Sequence, residues 1–356
     1  MRVKYKWFCC WMVLTIFGII NGIETLKCQQ EKNCILPDCF CATFNHPLIN
    51  KTKNIPQMVY FGFDDALTPV VAPYYKKLFR SDRVNPNGCS IGMTLFVSHK
   101  YTSYADVKYF HDKGMEIASH SVNHRVTKTK NTLYREANQQ RINLAKLGGI
   151  PISDIIGWRS PFLETAGDLQ PEVLRSLGYQ YDISLTITQY RMQDPNAWPF
   201  TADFGWPYSC DVEPCLSKSH PGFWEIPVNS MVGFKGQYPC NYVDGCYSRP
   251  GNEEEAFKYL MDNFNKSYKG NRAPFGLNMH PSWFLLNKYN SKGMDRFIEE
   301  ILNHPDVYIV TIKQVLEWMK SPTELSEIEH FTPWQCKPTN ATSANASQPS
   351  QQNDQQ

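Results

Sequence analysis

From residue 57 to residue 320 the chain alternates between short apolar runs and longer amphipathic stretches. Runs such as 58–63 are typical of strands buried on both faces. Stretches with apolar residues three or four positions apart, such as 131–147, predict helices. The predicted strands are 58–63, 90–97, 115–119, 155–158, 179–183, 223–228, 275–279 and 307–312. The predicted helices are 70–80, 104–113, 131–147, 169–177, 253–268, 293–303 and 312–320.

This alternation predicts an α/β fold, in which helices cover a mainly parallel sheet. About seven strand–helix units favour a barrel over an open sheet, although alternation alone fits both. Residues 190–222 interrupt the pattern and contain Trp198, Trp206 and two cysteines. Since this segment is too long for an ordinary connection, we predict a disulfide-tied surface insertion there.

The two ends of the chain differ from the middle. Three basic residues precede an apolar run at 8–20, which is shorter than the roughly 20 residues that a membrane span needs. We predict a signal peptide at 1–23, an uncleaved anchor being the alternative, and no stable membrane span. Residues 337–356 are rich in Asn, Ser, Thr and Gln, which predicts a disordered polar tail.

Cysteine usage agrees with export. The chain has 12 cysteines, and Cys9 and Cys10 lie in the predicted signal, so 12 − 2 leaves ten. An even number in a secreted chain predicts disulfides. We therefore expect a cysteine-rich N-terminal segment at 24–56, followed by the main domain at 57–336. A zinc site within 28–41 is the alternative. Sequons occur at Asn50, Asn265, Asn340 and Asn345 and fit a glycosylated extracellular protein.

Composition restricts the range of partners. The formal net charge of +2 gives no electrostatic basis for binding nucleic acid or an acidic membrane surface. No glycine-rich loop precedes a lysine, so the sequence does not predict a phosphate site. We expect a secreted monomer.

Polar side chains with chemical potential follow several of the predicted strands, where the active sites of parallel barrels lie. Singly, each has an ordinary explanation, such as a solvated turn or a surface ion pair. Their occurrence at four strand ends of one domain is harder to assign to chance. They are Asp64 and Asp65 after the first strand, His120 and His124 after the third, Arg159 after the fourth, and His280 after a late strand.

Together these residue types point to metal-assisted hydrolysis. His120 and His124 are four apart, so in a helical turn they face the same way. With one carboxylate they form a two-histidine, one-carboxylate set that leaves positions for water and substrate. The other aspartate can take a proton from the attacking water while Arg159 keeps it ionised. His280 can protonate the leaving group. The predicted cation is Zn²⁺, with Co²⁺ as an alternative, and the predicted reaction is hydrolysis of an amide or ester.

The same residues resemble the ordered motifs of the polysaccharide deacetylases, the NodB-homology or family 4 carbohydrate esterases. The resemblance spans residues 57–320, and the segment 36–41 resembles animal chitin deacetylase-like proteins more closely. The matching motifs are Gly62-Phe63-Asp64-Asp65, His120-Ser121-Val122-Asn123-His124, Arg159-Ser160-Pro161-Phe162 and the late His280.

The resemblance implies a distorted TIM-like (β/α) barrel that removes N-acetyl groups from chitin or chitin oligomers. It implies that Asp64 is the base, that Arg159 supports it, and that His280 is the acid. Asp65, His120 and His124 would bind the metal. The substrate side would involve the backbone N–H of Phe162, the ring of Trp198 and, as a supporting residue, Asp182, for which capping of the next segment is the alternative.

Two positions depart from the family pattern. Gly62 stands where a threonine is common, and Asn278 stands where many relatives have a leucine. The second departure puts the details of the acetyl pocket in doubt. Two other functions remain open from the sequence: a non-catalytic chitin-binding matrix protein, and a deacetylase of another acetylated polysaccharide.

Overall fold

The computed structural model describes residues 27–336, which contain eleven strands and eight α-helices. The strands are β1 (Gln57–Asp65), β2 (Thr94–Val97), β3 (Glu116–Ser119), β4 (Gly157–Trp158), β5 (Tyr181–Asp182), β6 (Thr186–Ile187), β7 (Phe200–Thr201), β8 (Trp224–Glu225), β9 (Val228–Asn229), β10 (Phe275–Met279) and β11 (Val307–Ile309). The helices are α1 (Ala72–Leu78), α2 (Tyr104–Asp112), α3 (Lys130–Gly148), α4 (Leu169–Ser176), α5 (Glu253–Tyr268), α6 (Ser282–Leu286), α7 (Lys288–Leu302) and α8 (Ile312–Lys320).

One curled sheet organises the molecule. Its strand order is β10-β1-β2-β3-β4-β5-β8-β7, with β11 paired to the first residues of β1. Every pairing in this sheet is parallel except that of β7 with β8. The strands therefore deliver their carboxyl ends to one edge, where loops can gather side chains for chemistry. The α/β prediction is confirmed, and the sheet forms a half-barrel with β10 and β7 at its two ends.

Strand β1 shows how the sheet separates two apolar layers. Its side chains alternate between faces. Phe61 and Phe63 belong to the core packed under the helices, whereas Tyr60 belongs to the core on the opposite face. Gly62 and Asp64 share the face of Tyr60 by the same alternation. The carboxyl end of β1 thus presents Gly62 and Asp64 on the inner side of the curled sheet.

The helix boundaries follow local chemistry. Helix α3 begins after Thr129, whose side chain accepts from the backbone N–H of Thr132, and it ends at Gly149 with φ +66°. A hydroxyl N-cap and a left-handed glycine are frequent helix ends. Helix α6 and the short strands β6, β7 and β9 were not predicted, and the predicted strand 223–228 is divided between β8 and β9.

All ten cysteines of the described residues form disulfides, so the alternative of a zinc site within 28–41 is wrong. The pairs are Cys28–Cys41, Cys34–Cys39, Cys89–Cys336, Cys210–Cys215 and Cys240–Cys246.

The N-terminal segment is tied to the barrel near β7. Phe40 is fully buried, and its backbone N–H donates to the hydroxyl of Thr201. Within residues 27–336 no helix is both long and apolar enough to cross a membrane. The predicted signal peptide and polar tail lie outside the described residues.

Candidate active site

The three predicted metal ligands meet at the carboxyl ends of β1 and β3. Potential ligand atoms of Asp65, His120 and His124 all lie within 4.8 Å of one another. His124 Nε2 lies 3.1 Å from an Asp65 carboxylate oxygen, and His120 Nε2 lies 3.8 Å from it. His120 Nδ1 lies 2.9 Å from the carbonyl oxygen of Arg159. This bond fixes the ring so that Nε2, the other nitrogen, faces the cluster, as metal-bound histidines require.

Burial favours the neutral form of the central histidine. His120 is buried, and burial lowers the pKa of its imidazole. A neutral imidazole is the form that ligates a metal. The donor set of two imidazoles and one carboxylate therefore fits a divalent cation of the zinc type.

The backbone at this site is strained. Asp65, His124 and Phe162 have φ angles of +82°, +48° and +60°. Residues other than glycine seldom adopt this left-handed region, and such strain is concentrated at functional sites. The turns after β1, β3 and β4 are thus held in conformations that orient side chains toward the cleft.

The second carboxylate of β1 has a different environment. Asp64 is buried, and one of its oxygens lies 2.6 Å from Nη1 of Arg159, which is fully buried as well. Burial alone would raise the pKa of Asp64. The charges of Arg159, His120 and His280 and a hydrogen bond from Tyr242 outweigh that effect and lower it. Asp64 is therefore held as a carboxylate beside the cluster, while Asp65 is a member of the cluster.

His280 lies across the cleft from Asp64. Its Nδ1 is 2.9 Å from a carboxylate oxygen of Asp244, whose other oxygen accepts from the His280 backbone N–H. Burial would lower the pKa of His280, but Asp244 and the charges of Asp64 and Asp65 raise it to about 9. At neutral pH this histidine is protonated and can serve as an acid.

Tyr242 connects the two halves of the cleft. Its ring stacks on that of His280 with centroids 4.7 Å apart. Its hydroxyl donates to the second oxygen of Asp64 at 2.7 Å. Burial and the neighbouring Asp64 raise the pKa of Tyr242 well above its usual value, so the phenol stays protonated. All six residues predicted for chemistry thus converge on one cleft.

Comparison with known proteins shows the family to which the chain belongs. The chain is 35% identical over 337 residues to chitin deacetylase 8 of Bombyx mori, covering 92% of this chain and 86% of that protein. This chain belongs to the chitin deacetylase family. It is also 33% identical over 324 residues to chitin deacetylase 1 of Bombyx mori, covering 86% of this chain and 59% of that longer relative. No family model matches the chain.

Solved structures of polysaccharide deacetylases are also similar. A probable polysaccharide deacetylase of Pseudomonas aeruginosa gives a TM-score of 0.47 at 15% identity, over 75% of this chain and 92% of that one. A family 4 carbohydrate esterase of Streptomyces lividans gives 0.40 at 15% identity, over 71% and 91%. Membership of the chitin deacetylase family rests on the two Bombyx sequences.

The structure corrects one predicted substrate contact. Trp198 is fully buried and packs against Trp318, with ring centroids 5.9 Å apart, and against His46 at 4.9 Å. Its ring has no free face for a sugar, so the assignment of Trp198 as a stacking platform is wrong. Phe162, in contrast, is 61% exposed and its ring edge contacts His124. The role of the Phe162 N–H remains a prediction.

Asp182 is also too deep to touch a substrate. It is buried, and it accepts hydrogen bonds from Gln170 and Ser184. Burial raises its pKa to about 7. Asp182 is paired with Trp158 in the β4–β5 register. Its hydrogen bonds therefore stabilise the strands behind the site.

Two residues of the cleft in this chitin deacetylase were not predicted from the sequence, and both lie in a loop closed by a disulfide. Tyr242 and Asp244 lie inside the loop closed by Cys240–Cys246. The sequence signal was available, since two cysteines six residues apart in a secreted chain indicate a small closed loop. The loop lacks regular periodicity, however, so its position next to β10 was not predictable.

Proposed function

We propose that this protein hydrolyses the N-acetyl groups of N-acetylglucosamine units in chitin, giving chitosan and acetate. The observation that carries the proposal is the division of the two β1 carboxylates. Asp64 is buried against Arg159, while the side chain of Asp65 is 40% exposed beside His124. One carboxylate is thus suited to proton transfer and the other to holding a cation. The names of the Bombyx relatives support chitin as the polymer.

We propose that Asp65, His120 and His124 hold the metal, with Zn²⁺ as the cation. Bound there, it would supply Lewis-acid polarisation of the acyl group and of the attacking water. The chain's own groups then divide the proton transfers. Asp64 accepts a proton from the water, and the guanidinium of Arg159 keeps this carboxylate ionised and oriented. His280 donates a proton to the departing amine.

The proposal is tested by mass spectrometry of N-acetylglucosamine oligomers incubated with the purified protein and zinc. We expect the loss of acetyl groups and the release of acetate in equal amounts. Parallel incubations with peptidoglycan and acetylated hemicellulose identify the preferred polymer. Tight chitin binding without acetate release under several metals would instead indicate a non-catalytic matrix protein.

We also propose that the protein acts outside the cell, which the five disulfides within residues 27–336 support. Of the two described sequons, the one at Asn50 is better suited to a glycan. Asn50 and the following Lys51 and Thr52 are exposed. In the other sequon Ser267 is buried and its hydroxyl accepts from Asn196.

Tyr242→Phe is expected to lower kcat about tenfold, since a hydrogen bond to a charged group is worth roughly 1.5–3 kcal/mol when lost. KM should change little because the phenyl ring can remain stacked on His280. Steady-state kinetics on N-acetylglucosamine oligomers measures both. Tyr259→Phe is a suitable control, because that hydroxyl contacts the Cys240–Cys246 bridge and not Asp64. An equal fall in both variants would assign the effect to the loop and not to the Tyr242–Asp64 bond.

A further inference from the structure

Three acceptors on three separate segments hold the guanidinium of Arg159. Nη1 donates to Asp64 of β1, Nε donates to the carbonyl oxygen of Ile183 at 3.1 Å, and Nη2 donates to the side-chain oxygen of Asn278 in β10. The face of the guanidinium lies 4.1 Å from the ring centroid of Phe96. Arg159 is fully buried, and these contacts together fix the position of its guanidinium.

Asn278 reaches Arg159 because the neighbouring strand position has no side chain. Gly62 of β1 is the register partner of Asn278 in β10. A Cβ atom on Gly62 would lie 3.0 Å from Asn278 Oδ1 and 3.2 Å from Arg159 Nη1. Those separations are shorter than ordinary carbon contacts. A side chain at position 62 would therefore push against both partners of the hydrogen bond.

Asn278 is itself buried, so its bond to Arg159 is shielded from water. The two positions that depart from the family pattern, 62 and 278, turn out to be direct cross-strand neighbours beside Arg159.

We propose that Asn278 is a positioning residue for the base Asp64, acting through Arg159, and that Gly62 is its steric partner. The inference rests on the proposed function, because it assumes that Asp64 takes the proton. Without Asn278, Nη2 of Arg159 would be a buried donor lacking its partner. The guanidinium would then shift toward another acceptor, and Asp64 would move with it. Small misplacements of a reacting group are costly to the rate.

The test compares Asn278→Ala, Gly62→Ala and the double variant on N-acetylglucosamine oligomers. We expect each single variant to lower kcat about tenfold, with KM and zinc content unchanged, since Asn278 acts through Arg159 and neither residue belongs to the cluster of predicted metal ligands. The double variant should stay close to Asn278→Ala and not show the hundredfold product of two independent effects, because both substitutions break the same Arg159–Asn278 hydrogen bond, which can be lost only once. Asn278→Ser, which leaves a smaller cavity, replaces Asn278→Ala if the latter does not fold.

Gly148→Ala provides a matched control. This buried glycine lies at the end of α3, and a Cβ there would meet Val107 at 3.1 Å, a crowding similar to that at Gly62. It should lower the melting temperature without lowering kcat. Multiplicative losses in the double variant, or a kcat loss in Gly148→Ala as large as in Gly62→Ala, would overturn the inference. An inactive wild-type protein would instead overturn the proposed function, whereas an active wild type with unchanged Asn278→Ala overturns only this inference.

Discussion

Asp64→Asn is expected to lower kcat by about a thousandfold, a magnitude within the range for loss of a general base. The substitution keeps the size of the side chain and leaves an oxygen to accept from Arg159 Nη1. The amide cannot accept a proton from water at neutral pH, so the acid–base step is lost while the surrounding contacts remain. Acetate release from N-acetylglucosamine oligomers measures kcat.

The metal content separates this role from that of the neighbouring carboxylate. Asp64→Asn should keep its zinc, because Asp65, His120 and His124 form the ligand cluster without it. His120→Ala should lose zinc, since it removes one of three protein ligands. Metal analysis of both purified variants after dialysis makes the comparison. Equal loss of zinc in the two would contradict the assignment of Asp64 as base and Asp65 as ligand.

The residues at strand ends were predictable because parallel strands impose a simple rule. Asp64 lies at the end of β1, and His120, Arg159 and His280 each follow a strand. A parallel sheet brings the carboxyl ends of its strands to one edge. The sequence order of such residues therefore carries spatial information. The prediction of the cleft needed the strand assignments and little else.

Loops and burial follow no such rule. Tyr242 and Asp244 lie in the loop that the disulfide Cys240–Cys246 closes, and this loop packs beside β10. From there they contact Asp64 and His280. Trp198 illustrates the opposite error, since an aromatic residue can serve equally as a core residue or as a sugar platform. Its packing against Trp318, which follows it by 120 positions in the chain, is a tertiary contact that local sequence does not reveal.

The pair Gly62 and Asn278 is a third feature that could not be predicted from the sequence. Each position, taken alone, is a deviation from a family motif whose effect is hard to foresee. Only the register of β1 with β10 makes them neighbours, and only the position of Arg159 gives the pair a role. Strand pairing between residues more than 200 positions apart is information that the tertiary fold supplies.

Asp244→Asn is expected to move the alkaline limb of the kcat profile from near pH 9 toward the ordinary histidine range. The general acid must be protonated, so activity is lost as the pH rises through the pKa of His280, which, against the effect of burial, Asp244 and the charges of Asp64 and Asp65 raise to about 9. The substitution removes a charge and weakens the hydrogen bond that raises this pKa. If the pKa fell to about 6.5, the protonated fraction at pH 8 would fall from about 90% to about 3%, a loss of about thirtyfold. Near pH 5.5 the two proteins should differ much less.

Two controls make the pH experiment specific to His280. Asp168→Asn removes the carboxylate of a separate Asp–His pair, in which His220 Nε2 lies 2.9 Å from Asp168, and should leave the alkaline limb in place. His280→Ala removes the acid itself, so its low activity should lose this limb. Asp244 is the partner of the His280 Nδ1 atom, so its substitution should change the pKa of His280. An alkaline limb that stays near pH 9 in Asp244→Asn would therefore show that a group other than His280 titrates there. The position of that limb therefore reports directly on which side chain delivers the proton to the departing amine.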